Sequence, residues 1–294
     1  MKRLALVLLS ATACTAAEQP DPANAAQTTN AAQSVQARPV PAGFTSAVAV
    51  LRVTMATQLP RGPGVALGDY CSSKAIDARS PQGRAVEGQG WHVTAEMSAG
   101  RFQAISFAGR FEPMTSGVCG TSDGNIALFD GERLAAIVHA ARPGTATPRL
   151  VTALGEAGRL RIWGDEYAPP LADILVSEGG AAVVPVADAD RWCGGSVSVP
   201  NIFAASIQTA RTRLLRAEWR ADARPAGEIV QGGFGRDSAL RREGMNEVES
   251  CSGTGYGLCI FNYRSGAGPT LQVITAGDAP TVVDYGVECR PRQQ

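Results

Sequence analysis

The sequence predicts an α+β protein that is predominantly β, in which an N-terminal β-rich domain is followed by a smaller α+β domain with one or two helices. Short apolar runs alternate with Gly- and Pro-containing turns through most of the 294 residues, which is typical of strands. One segment beyond residue 200 instead repeats its apolar residues at helical spacing. We place the first domain at 44–190 and the second at 191–290.

The first residues have the pattern of an export signal. Lys2 and Arg3 precede the apolar run Leu4–Ala13, which is far below the ~20 residues that a membrane span needs. We therefore predict a signal peptide over residues 1–13. Ala11-Thr12-Ala13-Cys14 resembles a bacterial lipoprotein signal, which would make Cys14 the lipidated N-terminus. An ordinary A-x-A cleavage site is the alternative interpretation.

Residues 14–43 are dominated by Ala, Gln, Asn, Thr and Pro and have almost no large apolar side chains. Such a segment buries too little surface to offset the entropy cost of ordering, so we predict a flexible tether. A tether directly after an acylated cysteine indicates a lipid-anchored protein of the bacterial cell envelope that faces the periplasm. A soluble periplasmic protein or a secreted protein is the alternative.

The cysteine count agrees with export. The chain has seven cysteines, and setting Cys14 aside leaves an even number, which in an exported chain predicts three disulfides. Six cysteines allow 15 pairings, and the sequence does not decide among them. We expect the pairs Cys71–Cys119, Cys193–Cys289 and Cys251–Cys259. The cysteines and histidines lack the short spacings of a zinc site, so we predict no metal and no cofactor.

The β-rich part contains a run of short strand-like segments. Asp130-Gly131 lies between two of them and is a hairpin signal. Leu134–Ala140 also fits a helix, and we prefer the strand. A sandwich, a barrel or a curved meander would accommodate such strands. The predicted strands are 47–53, 91–97, 102–107, 126–129, 134–140, 151–154, 160–163 and 181–186.

The C-terminal part contains the predicted helix Ser206–Ala217. Ser206 is a favourable N-cap, and one face is apolar, formed by Ile207, Ala210 and Leu214. Alternation beyond Leu215 favours a strand instead, so we predict an extended segment from about Trp219. A second short helix is predicted at 236–243, and strands at 197–199, 247–251, 258–263, 271–275 and 282–289.

One local pattern resembles a known family. Val199, Pro200, Asn201, Ile202, Ser206, Ala210, Leu214 and Trp219 stand where the opening strand and helix of a PASTA domain have matching residues. PASTA domains occur outside the membrane on penicillin-binding proteins and bacterial Ser/Thr kinases, and several bind cell-wall fragments. The resemblance implies a helix packed on a sheet and a possible role at the wall, and it covers only 199–219.

The chain departs from the PASTA pattern at two positions. Ala204 and Glu218 stand where the family usually has glycine. At the end of a helix such a glycine takes the left-handed conformation, which costs other residues about 1 kcal/mol.

The sequence contains no recognisable catalytic motif. His92 and His139 lack a neighbouring nucleophile, and the motifs of serine hydrolases, β-lactamases and zinc proteases are absent. Asp188 and Asp190 supply too few oxygens for calcium. We therefore predict no catalytic residues.

Two segments are candidate binding features. Asp165, Glu166 and Tyr167 beside Trp163 could bind a sugar or even hydrolyse a glycoside, but neighbours on an extended segment point to opposite faces, so we do not expect it. The glycine-rich segment lacks the lysine and helix of a phosphate-binding loop. It remains a candidate binding loop, formed by Ser252, Gly253, Thr254, Gly255 and Tyr256.

These observations favour an exported, non-catalytic binding or structural module at the cell envelope. Its expected partners are peptidoglycan or an envelope protein, with the membrane contacted through the N-terminal lipid. The balanced charge, 27 basic against 27 acidic residues, gives no reason to expect nucleic acid. The alternatives are a hydrolase of unrecognised type and a protein inhibitor or assembly factor that uses the candidate binding loop.

Overall fold

The computed structural model describes residues 43–114, 117–144, 147–154, 158–223, 235–253, 255–266 and 268–289. The predicted signal peptide, Cys14, the tether up to residue 42 and Thr254 lie outside the described residues. No helix among the residues described is long and apolar enough to cross a membrane.

The first part of the described chain is built from strands, with one 3₁₀ turn at Asp69–Lys74 and the helix α1 at Pro81–Glu87. The strands are β1 (Gly43–Ser46), β2 (Leu51–Met55), β3 (His92–Ala99), β4 (Phe102–Ala108), β5 (Arg110–Pro113), β6 (Cys119–Ser122), β7 (Asn125–Asp130), β8 (Arg133–Ala140), β9 (Leu150–Ala153), β10 (Arg159–Trp163), β11 (Ala172–Ser177) and β12 (Gly180–Val184).

Two five-stranded sheets pack face to face, so the sandwich is the correct choice among the three predicted architectures. One sheet has the order β2-β8-β7-β4-β3, and the other has the order β1-β12-β11-β10-β9. Their inner faces share one core, to which Leu128 and Val138 contribute from the first sheet and Ile162 and Ile174 from the second. The predominantly β character is thereby confirmed.

The hairpin at Asp130-Gly131 is confirmed, because β7 and β8 pair on either side of it. Leu134–Ala140 is strand rather than helix, since Val138 faces the sandwich core and Ile137 faces a second core on the other side of the sheet. That second core is covered by Val86 of α1. Burial on both faces explains why the apolar residues of β8 also fit a helical period.

The segment Ser80–Gly83, whose Pro and Gly indicate a turn, begins helix α1. Ser80 is the N-cap, its hydroxyl accepts from the Gly83 amide at 2.9 Å, and Pro81 occupies the first turn, where its missing N–H costs nothing. Glu96 of β3 accepts from the Ser80 hydroxyl at 2.6 Å. A larger residue at Gly83 would displace the Glu96 carboxylate from Ser80, because a Cβ there would lie 2.0 Å from Glu96 Oε1.

The second part of the described chain combines a hairpin, two helices and a sheet. Its elements are β13 (Ala189–Trp192), β14 (Val197–Pro200), α2 (Ile207–Arg216), β15 (Trp219–Ala221), α3 (Arg236–Arg242), β16 (Val248–Cys251), β17 (Cys259–Ser265), β18 (Thr270–Ala276) and β19 (Thr281–Glu288). The C-terminal sheet has the order β15-β17-β18-β19, and β16 also pairs with β17.

The predicted helix after Ser206 is confirmed. The Ser206 hydroxyl accepts from the Thr209 amide at 3.2 Å, which is the expected N-cap bond. Ile207, Ala210 and Leu214 are fully buried in the core of the C-terminal part, together with residues of β17 and β18. The extended segment from Trp219 and the helix near residue 236 are confirmed as well.

The three disulfides join Cys71 to Cys119, Cys193 to Cys289 and Cys251 to Cys259, so the expected pairings are confirmed. The sandwich core and the C-terminal core divide close to residue 190, while backbone contacts join both parts in one compact unit. The division into two domains stays a prediction.

The two positions at which the chain lacks the PASTA glycines both have left-handed backbone, with φ of 58° at Ala204 and 64° at Glu218. We expect Ala204→Gly and Glu218→Gly each to raise the free energy of unfolding by about 0.5–1 kcal/mol. The left-handed region costs a residue with a Cβ roughly 1–2 kcal/mol, and glycine avoids this cost. Part of the gain is lost because glycine also increases the entropy of the unfolded chain. Chemical denaturation measures the change.

Ala217→Gly is the matched control, because Ala217 is also exposed at the end of α2 but has a φ of −90°. This change should lower stability, since it adds only unfolded-state entropy. Equal effects at positions 217 and 218 would contradict the interpretation.

Candidate functional site

A cleft of about 390 Å³ lies where the edge of the sandwich meets the C-terminal part. Strands β9 and β10 supply one wall, and the β13–β14 hairpin, the segment after it and strands β18 and β19 supply the other. The volume is within the range of small-molecule sites, about 300–1,000 Å³. Five aromatic side chains line the cleft: Trp163, Tyr167, Trp192, Phe203 and Tyr285.

Contacts among the rings hold three of them in fixed positions. The Trp163 indole N–H donates to the Thr152 hydroxyl at 2.9 Å, across β10 and β9. The Phe203 ring meets Trp163 edge to face, with centroids 5.6 Å apart, and stacks on Tyr285 at 4.4 Å. The aromatic wall is therefore formed before any ligand arrives, which lowers the entropy cost of binding.

A buried ionic cluster supports this wall. Arg161 of β10 donates through Nε to Asp173 Oδ1 at 2.9 Å. Its two terminal nitrogens bind both oxygens of Asp190, at 2.6 and 2.8 Å. Arg159 also binds Asp173, at 2.6 Å. The charges of the two guanidiniums and the two carboxylates cancel. The planar, forked guanidinium group of arginine suits such paired contacts with carboxylates.

The buried ionic cluster keeps both Arg161 and Tyr285 protonated at the base of the cleft. Burial lowers the pKa of Arg161, but its hydrogen bonds to Asp190 and Asp173 outweigh this and raise the pKa above the usual value. Burial, together with the charge of Asp190, raises the pKa of Tyr285 well above that of free tyrosine. The Tyr285 hydroxyl therefore keeps its proton and donates to Asp190 Oδ2 at 2.7 Å.

The segment after β10 brings Asp165, Glu166 and Tyr167 to the cleft together with Trp163. The expectation that these neighbours point to opposite faces is wrong, because β10 ends at Trp163 and the chain then turns, with a left-handed φ of 55° at Tyr167. Glu166 accepts from Lys74 Nζ at 2.5 Å and from the Cys119 amide at 3.1 Å.

The candidate binding loop reaches the rim of the cleft through Tyr256. Its ring lies 5.3 Å from that of Tyr167, centroid to centroid. The Tyr256 carbonyl accepts from the Gly277 amide at 2.7 Å, and Arg236 donates to the Gly257 carbonyl at 3.3 Å. These bonds anchor the end of the loop, while Ser252, Gly253 and Gly255 are exposed.

Asp284 is an exposed carboxylate beside the rings. It lies on β19, where the pairing with β18 slips by one residue between Ile274 and Thr275. Such a bulge changes the direction of the side chains that follow it. Partial desolvation raises the pKa of Asp284, and the hydrogen bond from the Tyr285 amide and the charge of Arg161 oppose that rise only in part.

The other residues considered as chemical candidates lie outside the cleft. His92 Nε2 is 2.7 Å from the Val65 carbonyl, and His139 Nε2 is 2.8 Å from the Thr54 hydroxyl. Asp190, considered with Asp188 as a calcium ligand, belongs to the buried ionic cluster. Within the described ranges, no group of His, Cys, Asp and Glu side chains is arranged to hold a metal ion.

Comparison of the chain with protein-family models, with curated proteins and with solved structures finds no match. The fold and the site by themselves define a disulfide-bonded, mostly β protein with a preformed aromatic cleft. Three disulfides are typical of proteins that work outside the reducing cytoplasm.

Proposed function

We propose that this chain is an exported, lipid-anchored protein of the bacterial cell envelope that binds a saccharide of the cell wall without catalysis. The observation that carries the proposal is the convergence of five aromatic rings with the carboxylates Asp165, Glu166 and Asp284 in one cleft. A largely apolar pocket with a few polar groups is the usual form of a small-molecule site.

The chemistry of the cleft suits a sugar. A pyranose ring has apolar C–H faces, which pack on aromatic rings and gain from the burial of apolar surface. Its hydroxyl groups point outward from the ring edge and can donate charge-assisted hydrogen bonds to carboxylates. Tyr167, which is 40% exposed, is available for such stacking, and Asp165 is exposed beside it.

The resemblance to PASTA domains supports a wall saccharide in particular. Phe203, which lies within the PASTA-like segment 199–219, contributes a ring to the cleft. The left-handed backbone at Ala204 and Glu218 suits the glycines that the family has there. We accordingly propose that residues 191–290 form a PASTA-like binding domain and that the sandwich completes its ligand site.

Binding to purified peptidoglycan in a pull-down tests the proposal. We expect the wild-type chain to be enriched on the wall, and Trp163→Ala and Tyr167→Ala to lose most of that enrichment. Tyr167→Ala removes an exposed ring, so a loss of binding in this variant does not arise from unfolding. The control is Tyr70→Ala, since Tyr70 is exposed but does not line the cleft. Equal retention of all four proteins would refute wall binding through the cleft.

The lipid anchor has a separate test at Cys14. We expect the wild-type protein to sediment with membranes in its native host and Cys14→Ser to appear in the soluble periplasmic fraction, because the acyl chains attach only to the cysteine. Cys251→Ser with Cys259→Ser, which removes cysteines and their disulfide elsewhere in the chain, should leave the membrane association unchanged. Membrane retention of Cys14→Ser would refute lipidation at this residue.

A further inference from the structure

The aromatic cleft continues into a second depression of about 670 Å³. The two share Trp192, Ile274, Asp284 and Tyr285, so a ligand longer than the cleft would extend along the second depression. We call the second depression the acidic groove. It lies on the face of the C-terminal sheet that carries Gln272 and Ile274, opposite the face whose Leu271 and Val273 pack in the core.

The described residues that line the cleft and the groove include more carboxylates than guanidiniums. Among the described residues that line them, six carboxylates face three guanidiniums, a net charge of −3: Asp165, Glu166, Asp222, Glu249, Asp284 and Glu288 against Arg149, Arg161 and Arg264. Directly behind this lining, Lys74 binds Glu166, Arg159 binds Asp173, and Asp190 binds Arg161. An excess of negative side chains in a cleft favours ligands that carry positive charge.

The arginines of the lining are directed to partners within the protein. The guanidinium of Arg161 binds Asp173 and Asp190, and that of Arg264 binds Asp222 at 2.9 Å. Arg149 donates through Nε to the Gly164 carbonyl at 2.9 Å. Among the carboxylates, Glu166 and Asp222 are likewise bound, to Lys74 and Arg264, and the exposed carboxylates beside the rings are Asp165 and Asp284.

Asp284 occupies the junction of the two depressions. Its Oδ1 accepts from the Tyr285 amide at 2.8 Å, and the residue is exposed. The desolvation that raises the pKa of this carboxylate would be compensated by a cation placed beside it. Trp192, also at the junction, offers a ring to which a cation is attracted.

We propose that the site selects saccharides with free amino groups and that Asp284 binds the ammonium group where the cleft meets the acidic groove. The inference rests on the proposed binding of saccharides. A protonated amine forms a charge-assisted hydrogen bond with the carboxylate and lies against aromatic rings. An N-acetylated sugar of the same length packs on the same rings but offers Asp284 no ammonium group.

Two oligosaccharides that differ only in acetylation test this inference. The probes are a glucosamine tetramer and an N-acetylglucosamine tetramer, titrated against the full chain by intrinsic tryptophan fluorescence at slightly acidic pH, where the amines are protonated. We expect the Kd of the glucosamine tetramer to be at least tenfold lower. Added salt should reduce the difference, because it screens charges near the surface.

The variant Asp284→Asn should remove most of the preference. It should weaken the binding of the glucosamine tetramer much more than that of the acetylated tetramer, because the carboxylate meets an ammonium group in the first and only uncharged groups in the second. Glu132→Gln is the control, since Glu132 is an exposed carboxylate on the β7–β8 turn outside the groove, and it should keep the preference. A preference that survives in Asp284→Asn would overturn the inference by assigning it to diffuse surface charge.

The outcomes separate this inference from the proposed function. Equal affinities for the two tetramers, or tighter binding of the acetylated one, would overturn the selection of amines and leave saccharide binding in place. No fluorescence change with either tetramer at millimolar concentration, combined with no enrichment on peptidoglycan, would overturn both.

Discussion

Replacing Arg161 by methionine should lower the free energy of unfolding by about 3–5 kcal/mol, the usual cost of removing one partner from a buried ion pair. Asp173 and Asp190 are 0% and 3% exposed, and each accepts two hydrogen bonds from Arg161. Without the guanidinium, both carboxylates remain buried beside the cleft with much of their compensation lost. Urea denaturation monitored by circular dichroism gives the change.

Arg101→Met is the matched control. Arg101 also binds an aspartate, Asp130, but the arginine side chain is 49% exposed. Exposed pairs contribute about 0–1 kcal/mol, because water solvates both charges once the pair is broken. A loss below about 1 kcal/mol in Arg161→Met, equal to that of the control, would show that water reaches the cluster and that the pairing is not a major source of stability.

The features that the sequence predicts correctly depend on local signals. Helix α2 follows from an N-cap at Ser206 and an apolar face three to four residues apart. The β7–β8 hairpin follows from Asp130-Gly131. Helix α1 is a case in which the local signal is ambiguous, because Ser-Pro is found both in β-turns and at the start of helices. The hydrogen bond from Ser80 to Glu96 favours the helix, but Glu96 is distant in sequence.

The cleft depends on contacts that no local pattern contains. Trp163, Phe203 and Tyr285 belong to different elements, and each is an ordinary aromatic residue in its own segment. Strand β11 was not predicted, because Asp173 interrupts an otherwise apolar run and only the pairing with Arg161 makes its burial favourable. The one local signal is the group Trp163, Asp165, Glu166 and Tyr167, and it indicates a shared site only if the strand ends at Trp163, as it does.

Removing the disulfide Cys193–Cys289 by a double change to alanine should lower the free energy of unfolding by about 4.7 kcal/mol. The bond joins residues 96 positions apart, and closing a loop of about 100 residues restricts the unfolded chain by that amount. Cys251–Cys259, with a separation of 8, is the matched control, for which the same relation gives about 2.6 kcal/mol. Denaturation of both double-alanine variants measures the two losses.

The two bonds also differ in their relation to the cleft. Cys193 directly follows Trp192, and Cys289 ends the segment that carries Asp284 and Tyr285. The long-range bond therefore ties two segments of one wall of the cleft, the β13–β14 hairpin and strand β19, to each other. We expect its loss to weaken saccharide binding even under conditions in which the variant is still folded, because the rings would lose their fixed spacing. Equal destabilisation by both removals, with unchanged binding in each, would show that strand pairing and the ionic cluster alone hold the cleft together.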